Sequence, residues 1–137
     1  MKINIKRLHR NAVKPIRATK GDAGADLTAV RMTLVDGKVI YDTGLAFEIP
    51  EGYFGLLVPR SSCHKKDLTM PASLGVIDSG YRGSVQVVFK RHGSNIYNVG
   101  ERVAQLIILP CELASFAFTE ELSDSERGSN GFGHTGQ

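Results

Sequence analysis

With 137 residues, the chain is long enough for one domain with a modest core. A net charge of +3, with no basic run beyond Lys65-Lys66 or the interrupted Lys6-Arg7 and Arg10, leaves no stripe that would track a nucleic-acid backbone. Fifteen glycines favour a turn-rich β architecture over a helical bundle, and two cysteines, Cys63 and Cys111, are too few for a disulfide framework and read as inert thiols of a reducing compartment.

The first ten residues, MKINIKRLHR, alternate apolar with polar instead of forming an apolar block. That pattern predicts a half-buried strand over Lys2 to Lys6 and neither a signal peptide nor a membrane span. The expectation is a soluble, cytoplasmic protein with no membrane and no nucleic-acid partner. Next, Asp22-Ala23-Gly24-Ala25-Asp26-Leu27 sets a carboxylate among small residues just before a strand. An ordinary turn and an acidic group near a hydrated cation are both open there. A turn signal at Asp36-Gly37 precedes a short strand over Leu45 to Ile49, and Pro50-Glu51-Gly52 separates that from an apolar run over Tyr53 to Val58.

Pro59-Arg60-Ser61-Ser62 leaves this strand and opens the one helix the pattern allows, a turn or two near Ser62 to Asp67. Backbone N–H groups at a helix start, two hydroxyls and a guanidinium suit an anion, although a helix cap beside a surface arginine is the commoner meaning of such residues. Gly75 to Ser84 reads as a hairpin whose bend carries Asp78 and Tyr81. The aspartate is either a plain turn former or a general base for water.

Strands follow over Val85 to Phe89 and Val103 to Leu109, with turns at His92-Gly93-Ser94-Asn95 and Asn98-Val99-Gly100 between them. The second strand holds one amide, Gln105, in an apolar run. It either bonds backbone at a bend or faces a polar ligand or subunit interface, and spacing does not choose. Leu113 to Phe118 is a last candidate strand. The chain closes on RGSNGFGHTGQ (127–137), whose composition is that of a disordered end, yet Arg127 offers a phosphate fork and Phe132 a flat ring. Many short strands at this spacing predict a sandwich, jelly roll or barrel.

The four histidines, His9, His64, His92 and His134, stand apart from one another, and neither cysteine has a partner at ligand spacing, so a side-chain metal cage is unsupported. Residues 131–136 match G-x-G-x-x-G, but no strand closely precedes them and no helix follows, so a dinucleotide fold is rejected.

Taken in order, five segments resemble the motifs of the homotrimeric deoxyuridine triphosphatase (dUTPase) family: AGADL (23–27), PRSS (59–62), GVIDSGYRG (75–83), GERVAQLII (100–108) and RGSNGFGHTG (127–136). The resemblance implies an all-β jelly-roll barrel over residues 1–126 and a flexible glycine-rich lid over 127–137. It further implies a homotrimer with active sites at its subunit interfaces and Mg²⁺-dependent hydrolysis of dUTP to dUMP and pyrophosphate. Such an activity keeps uracil out of DNA and supplies dUMP for thymidylate synthesis.

Carried onto this chain, the family pattern makes Asp78 the base that activates water and Tyr81 the ring under the deoxyribose that excludes a 2′-hydroxyl. Val76, Ile77 and Asp78, with Gln86 on the returning strand, would read the uracil edge. Arg60, Ser61, Ser62 and Gln105 would hold phosphates, and Asp26 would meet Mg²⁺ through coordinated water. In the lid, Phe132 would stack on the base, while Arg127, Gly133, His134 and Thr135 would bind the γ-phosphate end over a neighbouring subunit's site.

The chain departs from the common pattern at Ala72, often asparagine; Gly80, often aspartate; Ser62, often glycine; Ser84, often glutamate; and His134, often serine. The related deoxycytidine triphosphate deaminases share the fold and an Arg-Ser-Ser segment but use a glutamate after the hairpin, where this chain reads Ser-Val-Gln-Val-Val-Phe. A nucleotide-sensing interaction protein is the alternative of a different class. It could coexist with catalysis, and no partner surface is identifiable.

Overall fold

A computed structural model describes residues 1–130 of the chain. Ten strands account for nearly all the regular structure: β1 (Asn4–Arg7), β2 (Ala25–Thr28), β3 (Arg31–Val35), β4 (Lys38–Asp42), β5 (Leu45–Glu48), β6 (Tyr53–Pro59), β7 (Leu68–Thr69), β8 (Gly75–Ile77), β9 (Gln86–Arg91) and β10 (Arg102–Pro110). One 3-10 helix, Ser61–Lys65, lies between β6 and β7, where the sequence allows a helical turn. No helix among the described residues is long and apolar enough to cross a membrane.

All strand pairings are antiparallel, in sheets of order β2-β10-β6-β8 and β3-β4-β9-β7 and a separate pair β1-β5. Alternation decides which face turns inward. On β4, Val39 and Tyr41 are buried and pair in register with Phe89 and Val87 of β9, which are buried too. With Leu27, Val85 and Val103 they form the fully enclosed centre of the core. Burying one such side chain is worth about 2–3 kcal/mol. Tyr41, Phe89 and Tyr97 meet edge-on or tilted, with ring centroids 6.0 to 6.3 Å apart. The Tyr41 hydroxyl donates to the Tyr97 carbonyl at 2.9 Å.

The β3–β4 connection is a two-residue hairpin turn at Asp36 (φ 46°) and Gly37 (φ 72°), the left-handed pair that a tight hairpin requires. Three expectations need correction. The amino-terminal strand forms, but all of β1 is exposed, because among the described residues it pairs with β5 alone. Leu113 to Phe118 pairs with no strand among the described residues, and Phe116 and Phe118 stand essentially fully exposed. Finally, Gly75 to Ser84 is not a hairpin. β8 pairs with β6 and β9 with β4 and β7, so the segment between them crosses from one sheet to the other.

Candidate active site

The predicted residues gather at opposite ends of β6. At its carboxyl end, β10 runs between β2 and β6, setting Gln105 opposite Asp26 on one side and Val58 on the other. Asp26 is a buried carboxylate between Ala25 and Leu27, so it requires a cation. It has two: Arg60 Nε donates to Oδ1 and Arg102 Nη1 to Oδ2, each at 2.9 Å. Arg60 thereby lies over the start of the 3-10 helix, with its Nη1 3.4 Å from Ser62 Oγ. A helix start leaves its first N–H groups without carbonyl partners, which suits a phosphate oxygen.

Gln105 is half-buried, and its amide occupies the space beside Gly24, where any β-carbon would collide with Gln105 Oε1. The glycine of AGADL is thus the residue that lets the amide reach the end of the sheet. A groove of about 390 Å³ adjoins this cluster, lined by Arg60, Ser62, Lys65, Lys66, Tyr97 and Arg102. Lys66 sits 4.9 Å above the Tyr97 ring centre and pairs with Glu101 at 3.8 Å. Burial pushes the Tyr97 phenol up, opposed most by the neighbouring Ser62 hydroxyl, although no well-aligned hydrogen bond joins the two. Burial also raises the Cys63 thiol. A larger hollow of about 560 Å³, between the amino-terminal residues and Phe47 and Ile108, holds none of the predicted site residues.

The second cluster surrounds the crossover. β8 is an edge strand, paired on one side only among the described residues, so alternate residues along it turn their backbone N–H and C=O groups away from β6. Asp78 follows at the end of the sheet, exposed and with no partner for its carboxylate among the described residues. The Tyr81 N–H closes a turn on the Asp78 carbonyl at 3.1 Å, and the Tyr81 hydroxyl donates to the Ser84 carbonyl, also at 3.1 Å. Arg82 pins the bend, its Nη1 donating to the carbonyls of Ser79 at 2.6 Å and Phe47 at 3.4 Å. Gln86 is exposed at the start of β9.

These two clusters do not meet within one chain. Ile77 pairs with Gly55, whereas Arg60 follows Pro59 at the far end of β6. At strand rise, the intervening residues put about 20 Å between Asp78 and Arg60. Arg127 lies beyond both, its Nε donating to the Asn130 carbonyl at 3.0 Å. Phe132, Gly133, His134 and Thr135 fall outside the described residues.

Among the described residues, no group of three or more His, Cys, Asp or Glu side chains is placed to hold a bare metal ion. Asp26 fits a hydrated one. Two of the roughly four acceptor positions of a carboxylate are taken by the arginines, and the others can accept hydrogen bonds from metal-bound water. Sequence reasoning assigned nothing to Arg102 or Arg82. The first follows from Asp26, since a carboxylate between Ala25 and Leu27 needs cations once that strand is buried. The second gave no sign, because its bonds run to backbone carbonyls, those of Ser79 and Tyr81 nearby and that of Phe47 far off in sequence.

The family model for dUTPase matches residues 10–136. The chain is 39% identical to the deoxyuridine 5′-triphosphate nucleotidohydrolase of Nautilia profundicola, with both chains covered completely. It is 38% identical to that of Escherichia phage T5, over 98% of each chain. Its fold matches the dUTPase of Staphylococcus bacteriophage 80alpha solved with dUPNHPP, at a TM-score of 0.85 and 31% identity over 99% of each chain. It also matches a variant dUTPase of S. aureus phage phi11, described with a structural Mg(II) ion, at a TM-score of 0.77 and 28% identity over 88% of this chain and 98% of that one. A jelly-roll frame, an ordered set of five motifs and full-length relatives agree, and the chain belongs to the dUTPase family.

Proposed function

We propose that this chain hydrolyses dUTP to dUMP and pyrophosphate, with Asp78 as general base, in sites each assembled from more than one copy of a homotrimer. The observation that carries the reading is the unpartnered Asp78 carboxylate beside the open edge of β8. That edge supplies fixed N–H and C=O groups for a uracil. Fixed groups cannot exchange polarity, so a cytosine there would leave a donor or acceptor unpaired. Tyr81 lies under the sugar and leaves no room for a 2′-hydroxyl. A water between Asp78 and the α-phosphorus gives its proton to the carboxylate as its oxygen attacks. The bond from the α-phosphorus to its bridging oxygen then breaks, and pyrophosphate leaves.

The phosphates are held by Arg60, Ser61, Ser62 and Gln105. Because those groups lie about 20 Å from Asp78 in the same chain, the phosphate half comes from a second copy. The exposed side chains of Leu113, Phe116, Phe118 and Leu122 support assembly, since apolar groups in such a run call for cover. Mg²⁺ carried on the triphosphate would meet Asp26 through water and neutralise charge on the departing pyrophosphate. Residues 127–137 are the lid, with Phe132 on the base and Arg127, Gly133, His134 and Thr135 at the γ-phosphate.

The purified chain is expected to release pyrophosphate from dUTP in the presence of Mg²⁺, and far more slowly from dTTP, dCTP and UTP. Asp78→Asn should lower kcat by about 10²–10⁴-fold, the range for a general base, with little change in Tm because the carboxylate holds nothing in place. A variant as active as the parent overturns the assignment. Deleting 127–137 should reduce turnover sharply and leave the trimer intact. Ammonia release from dCTP would show a deaminase instead.

A further inference from the structure

The crossover that carries Asp78 and Tyr81 is tied down at its far end by a residue outside all five motifs. Asp42 ends β4, its side chain only 15% exposed. Its Oδ1 accepts a short hydrogen bond from Ser84 Oγ and a second from the Gly44 N–H at 2.8 Å. Arg31 Nη1 stands 3.8 Å from Oδ2, and the Asp42 carbonyl accepts the Val30 N–H at 2.8 Å, so the carboxylate is fixed from several directions. Ser84 in turn offers its carbonyl to the Tyr81 hydroxyl. A β-carbon on Gly83 would strike the hydroxyl end of the Tyr81 ring, so the ring packs closely on the backbone just before Ser84. Next in sequence, Val85 is locked by Thr43, which bonds its carbonyl through both N–H (3.1 Å) and Oγ1 (2.8 Å).

We propose that Asp42 is a positioning residue which, through Ser84, fixes the Tyr81 ring and so sets the discrimination between deoxyribose and ribose triphosphates. The proposal rests on the reading of Tyr81 as the ring beneath the sugar. The physical argument is one of stiffness. A ring excludes a single hydroxyl only if it cannot retreat by the width of that hydroxyl, about 1–2 Å, and a bond from its own tip to an anchored carbonyl prevents the retreat. Without the carboxylate, Ser84 Oγ is released and the Ser84 carbonyl is held from the Val85 side alone, where the Val85 N–H donates to the Leu45 carbonyl at 2.9 Å, so the peptide can tilt about that bond and the ring with it. Asp78 follows directly on Ile77, which stays paired with Gly55, and its turn bond is to the Tyr81 N–H and not to the ring, so water activation is largely spared.

The test compares wild type, Ser84→Ala, Ser84→Thr, Asp42→Ala and Asp42→Asn. Ser84→Ala and Asp42→Ala should each lower the ratio of kcat/KM for dUTP to that for UTP by about tenfold. The change should come mainly from improved use of UTP and a raised KM for dUTP. Ser84→Thr, which keeps the hydroxyl, and Asp42→Asn, which keeps an acceptor, should restore most of the ratio. Ala at both positions should do no more than Ala at one, because the two act in series. A purely structural role would lower Tm and leave the ratio unchanged, and that result overturns the proposal.

Asp42→Ala also loses the Gly44 and Arg31 contacts, so Ser84→Ala, which removes one oxygen, keeps the question answerable if it fails to fold. Amide hydrogen exchange over residues 79–84 gives a reading independent of turnover. Exchange about tenfold faster in Ser84→Ala supports the anchor, and unaltered exchange removes it. If wild type leaves dUTP intact, the proposed function fails, and the exchange result still decides whether Asp42 and Ser84 hold the loop.

Discussion

Asp26 carries the largest electrostatic commitment of any single residue described. Arg60 is 21% exposed and Arg102 49%, so the two bonds are of unequal worth. Removing the more exposed partner in Arg102→Ala should cost about 1 kcal/mol, near the upper end for a solvated pair. Asp26→Asn leaves two guanidiniums facing each other with no anion and should cost about 2–3 kcal/mol. Urea titration of both variants tests the order. Gly24→Ala should fold but push the Gln105 amide out of place and lower kcat/KM by about tenfold, the scale of a small misplacement at a positioned group. At this scale the sequence drew notice to Gln105 by an amide in an apolar run, to Asp26 by a carboxylate among small residues and to Arg60 by its hydroxyl neighbours, while spacing alone left the role of each open. Asp42 and Arg82 gave no such sign, because the contacts that matter, Ser84 for one and Phe47 for the other, are set by the fold.

At the scale of elements, local pattern located β5, β6, β9, β10 and the 3-10 helix but mispaired one connection. Alternation reports which residues face inward and is silent on which strand lies alongside, so Gly75 to Ser84 looked like a hairpin although its two flanks enter different sheets. The short strands β7 and β8 carry too few residues to display a period at all. The helix brings its own prediction. Cys63 is enclosed there and its thiol is raised by burial, whereas Cys111 is partly exposed after β10. Iodoacetamide at pH 8 should label Cys111 first, with Cys63 slower by about tenfold or more until the protein is unfolded, as followed by peptide mass spectrometry.

For the molecule as a whole, the aromatic centre sets the alkaline limit. Burial pushes the Tyr41 phenol up to about 12 from 10.0, so the folded state keeps a proton that the unfolded state releases. Stability is therefore unaffected by this group below pH 10, falls as pH rises from 10, and levels off above about 12. The loss across that window is about 2–3 kcal/mol. Tyr41→Phe should start about 1 kcal/mol less stable at pH 8, having lost the bond to the Tyr97 carbonyl, yet decline less by pH 11. Chemical denaturation at the two pH values tests this.

Assembly is tested by mixing. Assemblies formed from equal amounts of inactive Asp78→Asn and Arg60→Ala chains should recover about a quarter of wild-type turnover if, as proposed, each site takes the two halves from different copies in a closed ring. They should recover nothing if both halves belong to one chain.

The length of β6 has a consequence for regulation by abundance. If the proposed base and phosphate grips at its two ends meet only between copies, a lone chain is chemically idle, however well folded. Specific activity should then fall on dilution as the proposed assembly dissociates, in step with the sedimentation coefficient, so that the amount of protein made would set both the number of sites and the fraction of them that exist.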